Sequence, residues 1–298
     1  MVCQKILKSR FFGAFFLIKT MKVGIQGIAG SNHHKVAVQF YGSQLDCVCC
    51  DSFAELAEGL KNGRFDEAVM AIENSIAGAI LPNYALIYTN GFKITSEFYL
   101  SISHNLMALP GQSLEAITRV ESHPMALLQC ASFFEQHKSI TLVEADDTAS
   151  VAQRISKAQR KGVAAIAPPE AATLYDMEIL ANDIQTLSSN ATRFVRIKRG
   201  VQDESVDPKA NKASIRFVTG HKRGSLATIL NVMSDCNLNL TKIQSLPIIE
   251  TPWKYAFFVD VTFEQMSQFQ KAMAALEIMA DSFTLLGVYT NQLKTSES

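Results

Sequence analysis

Three short polar runs in this 298-residue chain carry side chains able to hold a carboxylate and move a proton. Glu73-Asn74-Ser75 closes an apolar run, with Gly78 close behind. Ser122-His123-Pro124 opens a segment that continues to Gln129-Cys130. Asn190-Ala191-Thr192-Arg193-Phe194 leads into the apolar stretch 194–197. Arg193 has the planar fork that binds a carboxylate in two places. Glu73 and His123 are candidate acids, and the hydroxyls and amides around them are neutral hydrogen-bonding groups. Taken singly, each run also has a plainer reading: a turn with a helix cap, a helix cap, and a strand entry with a solvated arginine.

Two other clusters invite a metal reading and do not sustain it. His33-His34 are adjacent, and neighbouring helical side chains point in different directions, so a loop or helix-start role fits better. Six cysteines include the run Cys47-Val48-Cys49-Cys50, but no Cys-x-x-Cys or Cys/His spacing elsewhere in the chain pairs with it as zinc requires. Cys47 and Cys49 sit two apart in a strand-like run and so share one side. Buried or half-buried thiols in a reducing cytosol are the expectation. No metal and no organic cofactor is called for.

The elements that position these runs alternate in type. Strands are expected at 23–26, 45–50, 68–72, 140–143 and 163–167. A glycine-bearing turn covers 27–31 and a helix 33–41. Ser52-Phe53-Ala54-Glu55 reads as a capping box that starts the next helix. Pro124 suits a first helical turn, where its missing N–H has no partner anyway. Leu127, Ala131 and Phe134 then form one apolar face. Asp147 can cap the helix that carries Val151 and Ile155. Alternation of this kind predicts helices packed on mostly parallel sheets, in two small α/β lobes with a cleft between them. The three polar runs fall at strand ends, where open α/β sheets place their ligands.

Residues 199–212 are polar, contain Pro208 and lack periodicity, as a linker would. Beyond them the order changes to strand 213–219, a helix marked by Leu226, Leu230 and Met233, strands 239–245 and 253–263, a helix marked by Phe269, Met273 and Leu276, and strand 283–289. This βαββαβ order is that of a ferredoxin-like domain.

Bulk properties fit a globular protein of two domains. Lys plus Arg and Asp plus Glu both total 28, so the net charge is zero. A balanced chain carries no overall electrostatic footprint for nucleic acid or an anionic membrane. Residues 1–20 stand apart: Lys5, Lys8 and Arg10 precede an apolar run at 11–18 that is too short to span a bilayer and lacks a cleavage site. They read as an extension from an upstream start codon, with the functional protein opening near Met21 in the cytoplasm.

The order and spacing of Gly27-x-x-Gly30-Ser31, Glu73-Asn74-Ser75-x-x-Gly78, Ser122-His123-Pro124, Asp147-Thr148-Ala149 and Asn190-x-Thr192-Arg193-Phe194 resemble those of prephenate dehydratases. The resemblance covers nearly all of 21–197, and its last motif is the most diagnostic. It implies a bilobed α/β catalytic domain at 21–198, like a periplasmic binding protein, with the active site in the cleft. It implies a hydro-lyase that converts prephenate, a dianion, to phenylpyruvate in phenylalanine biosynthesis. In that reading Thr192 assists the departing hydroxyl, Arg193 clamps a carboxylate, and Glu73 or His123 is the alternative acid. Ser31, Asn74, Ser75, Ser122, His123, Gln129, Thr148, Asn190 and Phe194 are the expected substrate contacts. Arogenate as substrate, or a non-catalytic small-molecule sensor, are the alternatives. Ile28 and Asn32 stand where the family usually has proline and an aromatic residue, which affects the shape of that loop.

Residues 213–291 resemble an ACT domain, a regulatory module. Its expected phenylalanine site comprises Arg223-Gly224-Ser225-Leu226 and Gln244-Ser245-Leu246-Pro247. The second stretch is usually Glu-Ser-Arg-Pro, and here both charges are gone. The resemblance implies a homodimer or homotetramer with L-phenylalanine as effector.

Overall fold

The computed structural model describes residues 21–200, 207–220 and 222–293. The expected extension at 1–20 and the middle of the expected linker lie outside these residues.

The first lobe runs β1 (Lys22–Gln26), α1 (Asn32–Tyr41), β2 (Asp46–Cys50), α2 (Phe53–Lys61), β3 (Glu67–Asn74), β4 (Gly78–Ala79), α3 (Leu81–Thr89) and β5 (Phe92–Ser101). The second runs β6 (Asn105–Ala108), β7 (Arg119–Ser122), α4 (Pro124–Gln129), α5 (Ala131–Glu135), β8 (Thr141–Glu144), α6 (Ala149–Ala158), β9 (Val163–Ala167), α7 (Pro169–Leu174) and β10 (Glu178–Ala181). The chain then returns to the first lobe as β11 (Ala191–Arg199). Two strand crossings, at 102–104 and 182–190, therefore join the lobes. The first sheet has the order β2-β1-β3-β11-β5 with β4 beside β3, and the second β10-β6-β9-β7-β8.

The α/β alternation is present, but the sheets are mixed rather than mostly parallel. Only β2-β1-β3 and β8-β7-β9 are parallel. β11 runs antiparallel to both β3 and β5, as β6 does to β9 and β10. This reversal is the consequence of a chain that leaves the first lobe and comes back. Residues 79–121 hold α3, β5, β6 and β7, which the sequence reading does not assign. The apolar face 127–134 is interrupted at Cys130, which divides it between α4 and α5.

Local signals explain the helix starts. Ser52 Oγ accepts from Glu55 N at 3.1 Å, and Glu55 reaches back to the backbone N–H of Asp51 at 2.8 Å. Asp147 Oδ2 accepts from Ser150 N at 3.0 Å at the start of α6. The second-lobe core gathers Leu106, Val120, Ile155 and Ile166.

The C-terminal unit is β12 (Lys212–Val218), α8 (Ser225–Asp235), β13 (Asn239–Pro247), β14 (Tyr255–Thr262), α9 (Met266–Met279) and β15 (Ser282–Tyr289). Its antiparallel sheet, order β13-β14-β12-β15, is ferredoxin-like. Strand boundaries shift by one or two residues from expectation: β12 takes in Lys212 and ends at Val218, β13 runs on to Pro247, β15 starts at Ser282, and Trp253 sits in a turn with φ +68° ahead of β14, which ends at Thr262. The unit packs directly on the first lobe. Val218, Phe258 and Tyr289 share a core with Met70, Val195 and Ile197. A Cβ on Gly287 would fall 2.0 Å from the carbonyl oxygen of Ile94, so only glycine lets β15 come this close to β5. Among the described residues no helix is long and apolar enough to cross a membrane.

Candidate active site

The polar runs do fall at strand ends, some of their residues within the strands and some just past them. Ser31 follows β1, Ser75 follows β3, His123 follows β7 and Thr148 follows β8, all past the carboxyl ends of parallel strands. β11 runs against β3, so its first residues meet β3's last: Thr192 pairs with Asn74 in register.

Asn74 is the centre of a network that joins the lobes. Its Oδ1 accepts the N–H groups of Ile76 at 3.0 Å and Ala77 at 2.8 Å. Its Nδ2 donates to Thr192 Oγ1 at 2.9 Å and Asn190 Oδ1 at 2.7 Å. Asn190, itself buried, donates from Nδ2 to Gln129 Oε1 of the second lobe at 2.8 Å. The same oxygen lies 2.8 Å from His104 Nε2 on the first crossing. An acceptor oxygen there requires His104 to carry its proton on Nε2. Burial lowers the pKa of His104, which keeps the ring neutral, and its Nδ1 is buried without a partner. Ser75 Oγ accepts from Ala191 N at 2.9 Å and so ties the end of β3 to the entry of β11. Beside Gln129 a cavity of about 290 Å³ opens between Ile76, Met125, Leu128 and Leu187.

A second contact between the lobes lies at the 27–31 turn. A Cβ on Gly27 would stand 3.5 Å from Ser31 Oγ and 3.8 Å from Asp147 Oδ1. Tyr175 donates to the carbonyl of Ala29 at 2.5 Å, and Lys35 pairs with Glu170 at 2.6 Å. Ser31 caps α1 by accepting from His34 N at 3.3 Å. Thr148, half-buried, makes no cap bond.

Four expected site residues are placed elsewhere. Side chains alternate along β11, so Thr192 and Phe194 share one face and Arg193 takes the other. Arg193 is 2% exposed and turned toward the C-terminal unit. Its Nε donates to Glu97 at 2.8 Å, Nη1 to Asp260, and Nη2 to the Tyr289 hydroxyl at 2.9 Å. A guanidinium this buried, with each of its three nitrogens bonded to the protein, is not placed as a substrate clamp. Burial opposes its charge, but Asp260, Tyr289 and Glu97 together carry its pKa well above the ordinary value. Glu73 lies on the same face, 2.6 Å from Lys242 of β13, so it is ion-paired rather than a free acid beside Thr192. Ser122 is fully buried and donates to the carbonyl of Ile166 at 2.8 Å. Phe194 is core, set edge-on against His33. The cap of α4 is His123, exposed, whose Nδ1 accepts from Met125 N at 3.2 Å.

His33 is likewise structural: its Nε2 accepts from Ala71 N at 3.2 Å, and burial lowers its pKa to about 3. Among the described residues no three His, Cys, Asp or Glu side chains gather as metal ligands would.

In the C-terminal unit Arg223, Gly224, Ser225 and Leu226 line a cavity of about 640 Å³ at the start of α8. Gly224 adopts φ +85° there. Gln244, Ser245, Leu246 and Pro247 lie on β13, outside that cavity.

Two α/β lobes joined by two crossings, with neutral donors at the ends of their strands, define a protein that works on a small molecule held between lobes. A family model for prephenate dehydratase matches residues 23–202. "Arogenate dehydratase/prephenate dehydratase 2, chloroplastic" of Arabidopsis thaliana is 33% identical over 282 residues, covering 90% of this chain and 72% of the relative. A solved prephenate dehydratase from Arthrobacter aurescens, in complex with L-Phe, superposes with TM-score 0.82 at 25% identity, covering 93% of this chain and 92% of that one. A structure titled as a quorum-quenching acylase, GqqA, has the same TM-score at 24% identity, covering 92% and 100%; it shares the fold. The chain belongs to the prephenate dehydratase family and is a hydro-lyase.

Proposed function

We propose that this chain converts prephenate to phenylpyruvate in the cytoplasm and is restrained by L-phenylalanine through its C-terminal unit, an ACT domain. A catalytic domain from 21 to the end of β11 at Arg199, a linker, and a regulatory domain from β12 at Lys212 to 291 are the working parts. The reaction breaks the ring–carboxylate bond, and its electron pair enters the ring as the hydroxyl leaves. The products are carbon dioxide, water and an aromatic ring, whose formation drives the step.

The observation that carries this reading is the bond from Asn74 to Thr192. It occupies the threonine oxygen as an acceptor and leaves its O–H to donate to the departing hydroxyl. Water returns the proton. Help of this kind is worth roughly 10²- to 10⁴-fold. With Arg193 engaged elsewhere, the dianion is left to the N-terminal N–H groups of α1 and α6 and to the Asn190 and Gln129 amides. Arogenate is the second reading, favoured by the double name of the Arabidopsis relative. Incubation with each substrate separates them: prephenate yields phenylpyruvate and arogenate yields phenylalanine. Turnover of arogenate alone rejects the first reading.

The effector reading is supported by the cavity at 223–226 and by the L-Phe complex of the Arthrobacter protein. An ACT pair would use β13, the free edge of the sheet, beside exposed Ile243 and Trp253. Calorimetry with L-phenylalanine tests it; no heat at millimolar ligand, with activity indifferent to it, rejects feedback.

A further inference from the structure

The pairing of β11 with β3 is irregular at one place. Thr192 pairs with Asn74 and Arg193 with Glu73, but Phe194 pairs with Ala71, so Ile72 is an extra residue in β3. Such a bulge interrupts the ladder and lets a strand pivot locally. It falls between Arg193 and Phe194, one residue beyond Thr192. On its other side β11 stays in register with β5 from Ala191 to Arg196, so near Thr192 the strand is held by an unbroken ladder on one edge and an interrupted one on the other.

Arg193 adds a side-chain anchor at this interrupted edge. Its guanidinium is fixed on three sides by Glu97 of β5, Asp260 of β14 and Tyr289 of β15. Those partners are themselves fixed. Lys212 donates to both Glu97 oxygens, at 3.0 and 2.9 Å. Ser214 bonds Asp260 and lies 2.6 Å from the Tyr289 hydroxyl. Glu97, Asp260, Lys212, Arg193 and Tyr289 are all buried. Two carboxylates face two cations, so the cluster is balanced, and loss of any one member leaves a buried charge or donor unmatched.

We propose that Asp260 and Tyr289, from the C-terminal unit, are positioning residues for dehydration. Acting through Arg193, they hold the strand beside the bulge so that Thr192 stays at bonding distance from Asn74. The C-terminal unit is then part of the catalytic apparatus as well as a regulatory attachment. The inference rests on Thr192 acting at the leaving hydroxyl. A displacement of about 1 Å at such a group can cost roughly 10²-fold in rate.

The test uses the full chain and whichever of prephenate and arogenate it turns over. Tyr289→Phe deletes one oxygen, and Asp260→Asn deletes one charge. Met273→Ala, in the C-terminal core away from the cluster, is the control for destabilisation alone. We expect Tyr289→Phe and Asp260→Asn to lose at least tenfold in kcat with KM within threefold, well below their melting temperatures. Met273→Ala should melt lower yet keep kcat within twofold. If Asp260→Asn fails to fold, Tyr289→Phe carries the test. A kcat for Tyr289→Phe within twofold of wild type overturns the proposal, as does an equal fall in Met273→Ala. Thr192→Val run in parallel keeps the two claims apart: it retains its loss if only the positioning role is wrong.

Discussion

Asn74 donates from Nδ2 to Thr192 Oγ1 at 2.9 Å, and the direction of that bond is fixed by the rest of the Asn74 amide. Its Oδ1 accepts from Ile76 N and Ala77 N, so the oxygen cannot be the atom that faces Thr192. Thr192 therefore accepts from Asn74 and keeps its own proton for another group.

Asn74→Asp should reverse that bond at nearly constant size. A carboxylate in place of the amide accepts the Thr192 proton and places negative charge beside an anionic substrate. We expect kcat to fall by about 10²-fold, within the range of general acid assistance. Steady-state kinetics check this, and a variant that keeps half of wild-type kcat would mean that the direction of the bond is immaterial.

Acid stability should carry the mark of His33. Its folded pKa is lowered by burial to about 3, against an ordinary 6.5. Below 6.5 the unfolded chain takes up a proton that the folded protein does not, so the unfolded state binds more protons and stability falls with pH. The window runs from 6.5 down to about 3, at up to about 1.4 kcal/mol per pH unit from this group. His104, lowered by burial too, acts in the same direction. Urea unfolding of His33→Gln between pH 4 and 7 should show a slope shallower by about one proton. An unchanged slope would show that His33 protonates normally in the fold.

Glu97 is fully buried and bonds both Arg193 and Lys212. Glu97→Gln leaves two buried cations short of their carboxylate and should cost about 3–5 kcal/mol. Lys254→Ala removes an exposed pair with Asp281, 3.5 Å apart, and should cost about 1 kcal/mol or less. Denaturant midpoints compare them, and equal losses would deny the interior cluster its structural role.

The motifs were legible because each sits at a strand end, and their residue types suit turns, caps and hydrogen bonds. The C-terminal order was legible from its periodicity. What sequence could not give was orientation. Thr192 and Arg193 are adjacent, and the pattern around them does not say that one faces the lobe junction and the other the C-terminal sheet. Arg193 and Glu73 acquire their partners from strands far along the chain: Asp260, Tyr289 and Lys242. One signal for them did exist: Asp260 interrupts the apolar run Phe257-Phe258-Val259, where a charge must find a buried partner. Glu97 lies among Ser96, Phe98 and Tyr99 on a strand the sequence reading does not assign, and His104 on a short crossing carries no pattern at all.

The Thr192 hydroxyl itself is tested most directly by a pair of substitutions assayed on the native substrate. Thr192→Val keeps the shape and removes the O–H; Thr192→Ser keeps the O–H and removes the methyl. We expect the valine variant to lose at least tenfold in kcat with its melting temperature little changed, and the serine variant to stay within a few-fold of wild type. Near-normal turnover by Thr192→Val would contradict the mechanism.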